Sequence, residues 1–312
     1  MRILVTGGLG FLGGRIAQYL EFQGYDVKIT TRLSGISIPK LVSSNVISIA
    51  WDNQDSLNKA CKNVDVVIHC AGMNASESFA DPENALKING LATAALTKAA
   101  IANHVKKIIY FSTAHVYNNP LQGVISESHC AVNLHPYATS HRAGEDVILN
   151  AGYNKSIESV VFRLSNAFGR PIHKEVNCWM LLINNLCLQV VEKGCLTLHS
   201  SGTQERDFIP ISDVVSTVGH FIQNDRVGLF NLGSGISRTV LDMAKLVAVR
   251  TEFVLGFKPE IIIASKYDSA KIDSLHFKID KLLSNGVEIK NDKVSEIDDL
   301  LTFCSNNFNR SN

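Results

Sequence analysis

This 312-residue chain has no cysteine pair at CxxC spacing, and its seven cysteines, at positions 61, 70, 130, 178, 187, 195 and 304, are odd in number and scattered. Neither structural zinc nor a disulfide framework is expected; the thiols read as small buried hydrophobes in a reducing compartment. A surplus of one charge is missing too. The 30 Lys and Arg against 29 Asp and Glu leave +1, with the signs interspersed, so no nucleic-acid partner is expected. No stretch approaches the roughly 20 apolar residues of a membrane span. The N-terminal apolar run is brief and cut by glycines, unlike a secretory signal. The expectation is a cytoplasmic protein that engages no membrane. None of the ten histidines forms an i, i+4 pair with a nearby acid, so no metal is expected either. Proline-rich linkers, internal repeats and low-complexity tracts are lacking, and 46% hydrophobic content suffices for one large or two modest cores.

What is present begins at residue 3. A short apolar strand, Ile3-Leu4-Val5, ends in Thr6-Gly7-Gly8-Leu9-Gly10-Phe11-Leu12-Gly13-Gly14 and runs into a helical pattern at Arg15-Ile16. Gly7 permits a tight turn, Gly10 lets backbone approach a phosphate, and Gly13 lets helix pack on strand; the amides around Phe11 and Leu12 lie at the positive end of that helix. The pattern predicts a dinucleotide pyrophosphate there, and without a GK[ST] continuation it is not a P-loop. The second strand ends in Thr30-Thr31-Arg32, where NAD binding would favour a carboxylate. Arg32 is either suited to the extra phosphate of NADP or an exposed loop arginine, so the cofactor is NADP or NAD, with NADP favoured. Asp52, after the third strand, is a partner for the adenine amino group or a solvated turn residue.

Further strands are predicted at 46–49, 64–69, 107–112 and 158–164, with helices at 82–104 and 137–150 between the last three. Strands nearly continuous in Val and Ile, separated by helices, predict an α/β fold: a Rossmann-type doubly wound parallel sheet with right-handed crossovers and ligands at the carboxyl ends of its strands. Beyond residue 165 come a helix at 179–191 and a strand at 195–199. Segments 207–215 and 229–233 look like a return to the sheet. The expected division is a dinucleotide-binding domain, 1–165 plus about 206–240, and a smaller C-terminal α/β substrate lobe, 166–205 and 241–312.

The segments Thr6 to Gly13, Val67-Ile68-His69-Cys70-Ala71-Gly72, Ile88-Asn89-Gly90, Phe111-Ser112-Thr113-Ala114-His115-Val116-Tyr117, Pro136-Tyr137-Ala138-Thr139-Ser140-His141, Arg163-Leu164-Ser165-Asn166-Ala167-Phe168-Gly169, Arg206-Asp207-Phe208-Ile209 and Phe230-Asn231-Leu232-Gly233-Ser234-Gly235 occur in an order and spacing that is highly specific. The chain resembles extended short-chain dehydrogenase/reductases of the NAD-dependent epimerase/dehydratase family over nearly its whole length. The resemblance implies that Thr113 holds the reacting oxygen and that Tyr137 exchanges a proton with it while hydride moves to or from nicotinamide. Ala71, Gly72 and Asn89 would line the cofactor, and Asn166 would approach the substrate.

One departure matters most. The resemblance implies a lysine one helical turn after Tyr137, whose charge lowers the phenol pKa and which reaches the nicotinamide ribose; this chain has His141. A histidine near its reference pKa of about 6.5 is mostly neutral at pH 7. His141 then either substitutes for the lysine in a slower enzyme, leaves proton transfer to another group, or marks a protein that has lost its chemistry. His115 stands where relatives place a proton-transfer glutamate or cysteine, and serves as acid or base or simply as pocket wall; Ala114 replaces the aspartate of the dehydratases, which disfavours dehydration. His173 and Arg206 are further candidates toward substrate in a half that is poor in arginine. The expectation is an NADP- or NAD-dependent epimerase or reductase of a nucleotide-linked sugar. The alternative is a catalytically impaired cofactor-binding protein with a sensing or scaffold role. Resemblance also implies a homodimer through the helices around 86–104 and 137–150.

Overall fold

The computed structural model describes residues 1–31, 45–264 and 274–308. Arg32 lies outside the described residues. The chain divides into two compact units, the first Met1–Pro120, Glu127–Leu164 and Val215–Leu232, the second Leu121–Ser126, Ser165–Val214 and Gly233–Asn312.

The first unit is built on a seven-stranded sheet in the spatial order Gly228–Leu232, Glu158–Leu164, Lys107–Thr113, Val66–His69, Arg2–Thr6, Asp26–Thr31, Asn45–Ser48. All six pairings are parallel. The central strands Val66–His69 and Lys107–Thr113 are buried at every position, which is why they read as unbroken apolar runs and not as alternation. Leu4, Val67, Ile108 and Val161 meet Leu57, Leu96 and Ile148 from the helices in one core.

Three polar devices hold this core in register. Lys107 Nζ, on an almost wholly buried side chain, donates to the carbonyls of Phe221 (2.9 Å) and Asn224 (2.7 Å) at the end of the helix Ile211–Gln223, and Glu158 lies 3.2 Å from the same nitrogen. A cation there satisfies carbonyls that a helix end leaves over and offsets its negative pole. Arg163 donates to both carboxylate oxygens of buried Glu145, at 3.0 and 2.7 Å, and stacks 4.6 Å over the Tyr117 ring. Tyr117 in turn donates to Asn231 Oδ1 at 2.7 Å.

The continuous helix expected over 82–104 is interrupted. A short turn, Pro82–Ala85, capped by Asp81, passes into a π-helical turn, Leu86–Leu91, before the α-helix Ala92–Ala102. Such turns insert a residue into the helical register and collect at functional sites. Here the inserted turn buries Asn89 and Gly90.

In the second unit Glu205–Pro210 pairs parallel with Asn166–Phe168 and antiparallel with Ser237–Thr239. Two further parallel pairs join Cys195–Leu198 to Glu260–Ile263 and Gly123–Ile125 to Leu275–Phe277. Helices Leu182–Lys193, Val240–Leu255 and Lys293–Asn307 pack Ile183, Val247 and Leu300 around Phe168, Leu196 and Phe208. Of the 206–240 stretch assigned from sequence to the first domain, only Val215–Leu232 falls in the first unit. The physical reason is Asp207: buried, it accepts from Ser165 Oγ (2.6 Å) and from Ser234 N (2.8 Å), fastening residues 165, 207 and 234 into the smaller sheet.

Candidate active site

The first strand ends at Thr6, and Gly7 turns the chain with φ +66°. The turn closes where Gly10 N donates to Gly7 O at 2.8 Å. Helix Phe11–Phe22 then starts at Gly10 with no side-chain cap and no acid in its first turn, so the first amides, at Phe11, Leu12 and Gly13, have no intrahelical acceptor. A Cβ on Gly7 would stand 2.9 Å from Ala71 N, and one on Gly13 would stand 2.3 Å from Gly7 O. This cradle, which side chains would fill, fits the pyrophosphate of a dinucleotide. Asp52 lies exposed in the turn before Asn53, which caps the helix Gln54–Cys61.

Behind the cradle runs a buried relay with a defined direction. Thr93 Oγ1 donates to Asn89 O at 2.7 Å, so it must accept from His69 Nε2 at 2.9 Å. With its proton on Nε2, His69 accepts at Nδ1 from Thr6 Oγ1 at 2.7 Å, and that hydroxyl accepts from Ala71 N at 3.2 Å. Burial first, then the neighbouring His141, pushes His69 down to about 3, so the ring is neutral. Asn89 Oδ1 accepts from Met73 N at 2.8 Å, and its Nδ2 donates to Ser140 Oγ at 3.0 Å. Its side chain thus ties the loop carrying Ala71 and Gly72 to the helix carrying Tyr137.

That helix, Pro136–Tyr153, has proline in its first turn and His135 as its cap, whose Nδ1 accepts from Tyr137 N at 3.2 Å. Tyr137 and His141 meet edge to face, ring centres 4.6 Å apart. Burial raises the Tyr137 phenol above its ordinary value, and a hydrogen bond with Thr113 works against that rise. Thr113 closes the strand Lys107–Thr113 and accepts at Oγ1 from His115 N at 3.1 Å. His115 is half-buried, and its carbonyl accepts from Asn133 Nδ2 at 2.7 Å. His141 is buried, pushed down to about 4 by that burial, and hence uncharged at neutral pH. Its Cε1 lies 3.6 Å from where a Cβ on Gly72 would stand, and its Nδ1 lies 2.9 Å from Tyr110 Oη. Tyr110 has no sequence signal, because it meets His141 only through the packing of strand on helix.

The remaining candidates belong to the second unit. Asn166 Nδ2 donates to Asp207 O at 2.9 Å, and half-buried His173 accepts at Nδ1 from Glu175 N at 3.4 Å. Arg206 donates to Gln204 Oε1 at 2.9 Å, and burial lowers its pKa. Directly opposite it in the antiparallel pair stands Arg238, which sequence reasoning missed because only the strand register brings the two together. Among the described residues no group of three or more His, Cys, Asp or Glu could hold a metal ion, and no helix is long and apolar enough to cross a membrane.

A glycine cradle at the first strand of a parallel sheet, with a tyrosine and a threonine meeting beyond the same strand ends, is the arrangement of a short-chain dehydrogenase/reductase. The chain belongs to the NAD dependent epimerase/dehydratase family, whose sequence profile matches residues 3–233. It is 26% identical over 311 residues to a putative UDP-glucose 4-epimerase of Methanocaldococcus jannaschii, covering 98% of this chain and 99% of that one. It is 25% identical over 272 residues to UDP-glucuronic acid decarboxylase 1 of Arabidopsis thaliana, covering 83% of this chain but only 61% of the plant protein. Its fold is that of the Thermus thermophilus UDP-glucose 4-epimerase solved with NAD, at TM-score 0.81, 22% identity and 97% and 99% coverage.

Proposed function

We propose that the chain binds NAD or NADP in the cradle of Gly7, Gly10 and Gly13 and carries out oxidoreduction at a carbinol or carbonyl carbon of a nucleotide-linked sugar, as an epimerase or reductase. When bound, the dinucleotide supplies or accepts the hydride. The observation that carries the proposal is a continuous set of contacts within the first unit. A Cβ on Gly7 would meet Ala71 N and one on Gly72 would stand 3.6 Å from His141 Cε1, His141 packs edge to face on Tyr137, and Tyr137 meets Thr113. Thr113 and Tyr137 orient the reacting oxygen, and Tyr137 exchanges the proton. In the second unit Arg206 and Arg238 supply the two guanidinium groups for the substrate's diphosphate, and Asn166 and His173 are its further polar groups. Arg32 alone favours NADP, whereas relatives of known structure hold NAD. Fluorescence titration with each decides between them, and binding of neither removes the proposal.

With no cation acting on it among the described residues and burial opposing ionisation, Tyr137 is a phenol at neutral pH. It is therefore a proton donor, suited to reducing a carbonyl; oxidising a carbinol needs the phenolate, whose fraction grows tenfold per pH unit below the pKa. The expected pH–rate profile for oxidation climbs through and beyond pH 9, with no inflection near 6.5. Replacing His141→Lys restores a positive charge one turn away and moves that profile down by about one unit or more, a gain of at least about tenfold at pH 7. An unshifted profile refutes this account of His141. If His141→Lys stays inactive while the cofactor still binds, the alternative is favoured, a catalytically impaired binding protein, which the uncharged His141 already supports.

We further propose a cytoplasmic homodimer packed through the helices Ala92–Ala102 and Pro136–Tyr153, whose outer faces form a shallow groove lined by Ala94, Thr97, Lys98, Val147 and Ala151. Sedimentation equilibrium should give twice the chain mass, and a monomer at micromolar concentration removes this proposal.

A further inference from the structure

We propose that Tyr110 is a positioning residue that fixes the tautomer of His141, donating its Oη proton to Nδ1 so that the imidazole presents an Nε2–H donor beside the Gly72 backbone. The inference rests on the proposal that the Gly7–Gly72 side of the first unit holds a dinucleotide. It assigns to a neutral ring the holding part of a cation's work, without the acidifying part.

Tyr110 Oη also meets the Thr93 hydroxyl, but that oxygen already accepts from His69 Nε2 and spends its own proton on Asn89 O, which leaves His141 Nδ1 as the acceptor without another donor. Tyr110 Oη is 2.9 Å from His141 Nδ1 and 3.4 Å from His141 O, so the ring nitrogen takes the shorter bond. A neutral imidazole that accepts at Nδ1 carries its proton on Nε2. No hydrogen bond within the protein engages Nε2 among the described residues, and Nε2 adjoins Cε1, the atom that faces Gly72. His141 is neutral because burial pushes it down to about 4.

The surroundings are built for this bond. Gly144 sits inside the helix Pro136–Tyr153, where glycine costs about 1 kcal/mol relative to alanine. A Cβ there would stand 2.6 Å from Tyr110 Oη and 2.7 Å from Asn89 O, so the glycine makes room for the hydroxyl. The Tyr110 ring is 1% exposed and lies 5.5 Å from the His69 ring, whose own tautomer is set by Thr93 and Thr6. Burial also drives the Tyr110 phenol well above its ordinary range, so it remains a donor over the working pH.

Nitrogen-15 NMR of the cofactor-free protein tests the tautomer without activity. The expected spectrum shows His141 with a pyrrole-type Nε2 and a pyridine-type Nδ1. In Tyr110→Phe, which deletes one buried oxygen and should keep the fold by circular dichroism, the two forms should mix. A wild-type His141 protonated on Nδ1 overturns the proposal. Cofactor affinity supplies the second readout: Tyr110→Phe should weaken dinucleotide binding about two- to tenfold, the worth of one oriented hydrogen bond. In a His141→Gln background, where the amide donor needs no tautomer, the same change should have no effect on affinity. Equal losses in both backgrounds mean that Tyr110 is only packing, and the proposal fails. Failure of the wild type to bind either dinucleotide sinks the cofactor assignment instead, leaving the tautomer result standing.

Discussion

Tyr137→Phe should lower turnover of a nucleotide-sugar substrate about 10²- to 10⁴-fold, the usual worth of a positioned acid–base group, while dinucleotide affinity changes little. The substitution removes one oxygen at the site where phenol and Thr113 hydroxyl meet, and leaves intact the edge-to-face packing on His141. Loss should appear in kcat rather than KM if proton exchange is what the phenol supplies. The measurement is steady-state kinetics in both directions with the cofactor form that binds. A variant that keeps a tenth or more of the activity would show that another group moves the proton, and His115, two residues from Thr113, becomes the candidate to replace next.

The second large effect is on stability. His69 and His141 are buried and neutral, with pKa values pushed down to about 3 and about 4. In the unfolded chain both return to about 6.5. Well above pH 6.5 neither state binds the proton and nothing is lost. Below it the unfolded chain gains two protons that the folded chain refuses, so stability falls as pH falls. Between pH 7 and pH 5 the two rings together remove about 4 kcal/mol, at a slope approaching two protons. Asp207 and Asp213, whose carboxyls are raised by burial, bind protons more readily when folded and oppose the trend at its acid end. Urea unfolding at pH 5, 6 and 7 measures the slope, and His141→Gln isolates one ring by reducing it by about one proton. A wild-type slope near zero across this window would mean that the imidazoles are charged or exposed.

Much of this site was legible in the chain because its parts are local. The glycine turn, the pairing of Tyr137 with position 141, and Thr113 at a strand end each lie within one strand–turn–helix step, where spacing dictates geometry. The parallel sheet was legible for the same reason, since strands buried on both faces must be apolar throughout. What escaped depends on register between distant segments. Tyr110 and His141 are joined across 31 residues, and Tyr110 looks like one more buried strand aromatic. Arg238 gained meaning only when the antiparallel pairing set it against Arg206. The π-helical turn at Leu86–Leu91 carries the same apolar spacing as a plain helix, so an inserted residue leaves no trace in the pattern. The short strand Gly123–Ile125 was missed because three residues, two of them apolar, cannot establish alternation.

The buried pair of Arg163 and Glu145 has a consequence for how such a chain can drift. Each side chain is the other's only ionic partner among the described residues, and both are almost wholly shielded from water. Losing one leaves a stranded charge costing about 3–5 kcal/mol, whereas exchanging both for well-packed apolar groups is often close to neutral. Descendants can therefore keep both or abandon both, and the single-step intermediates form a valley between those outcomes.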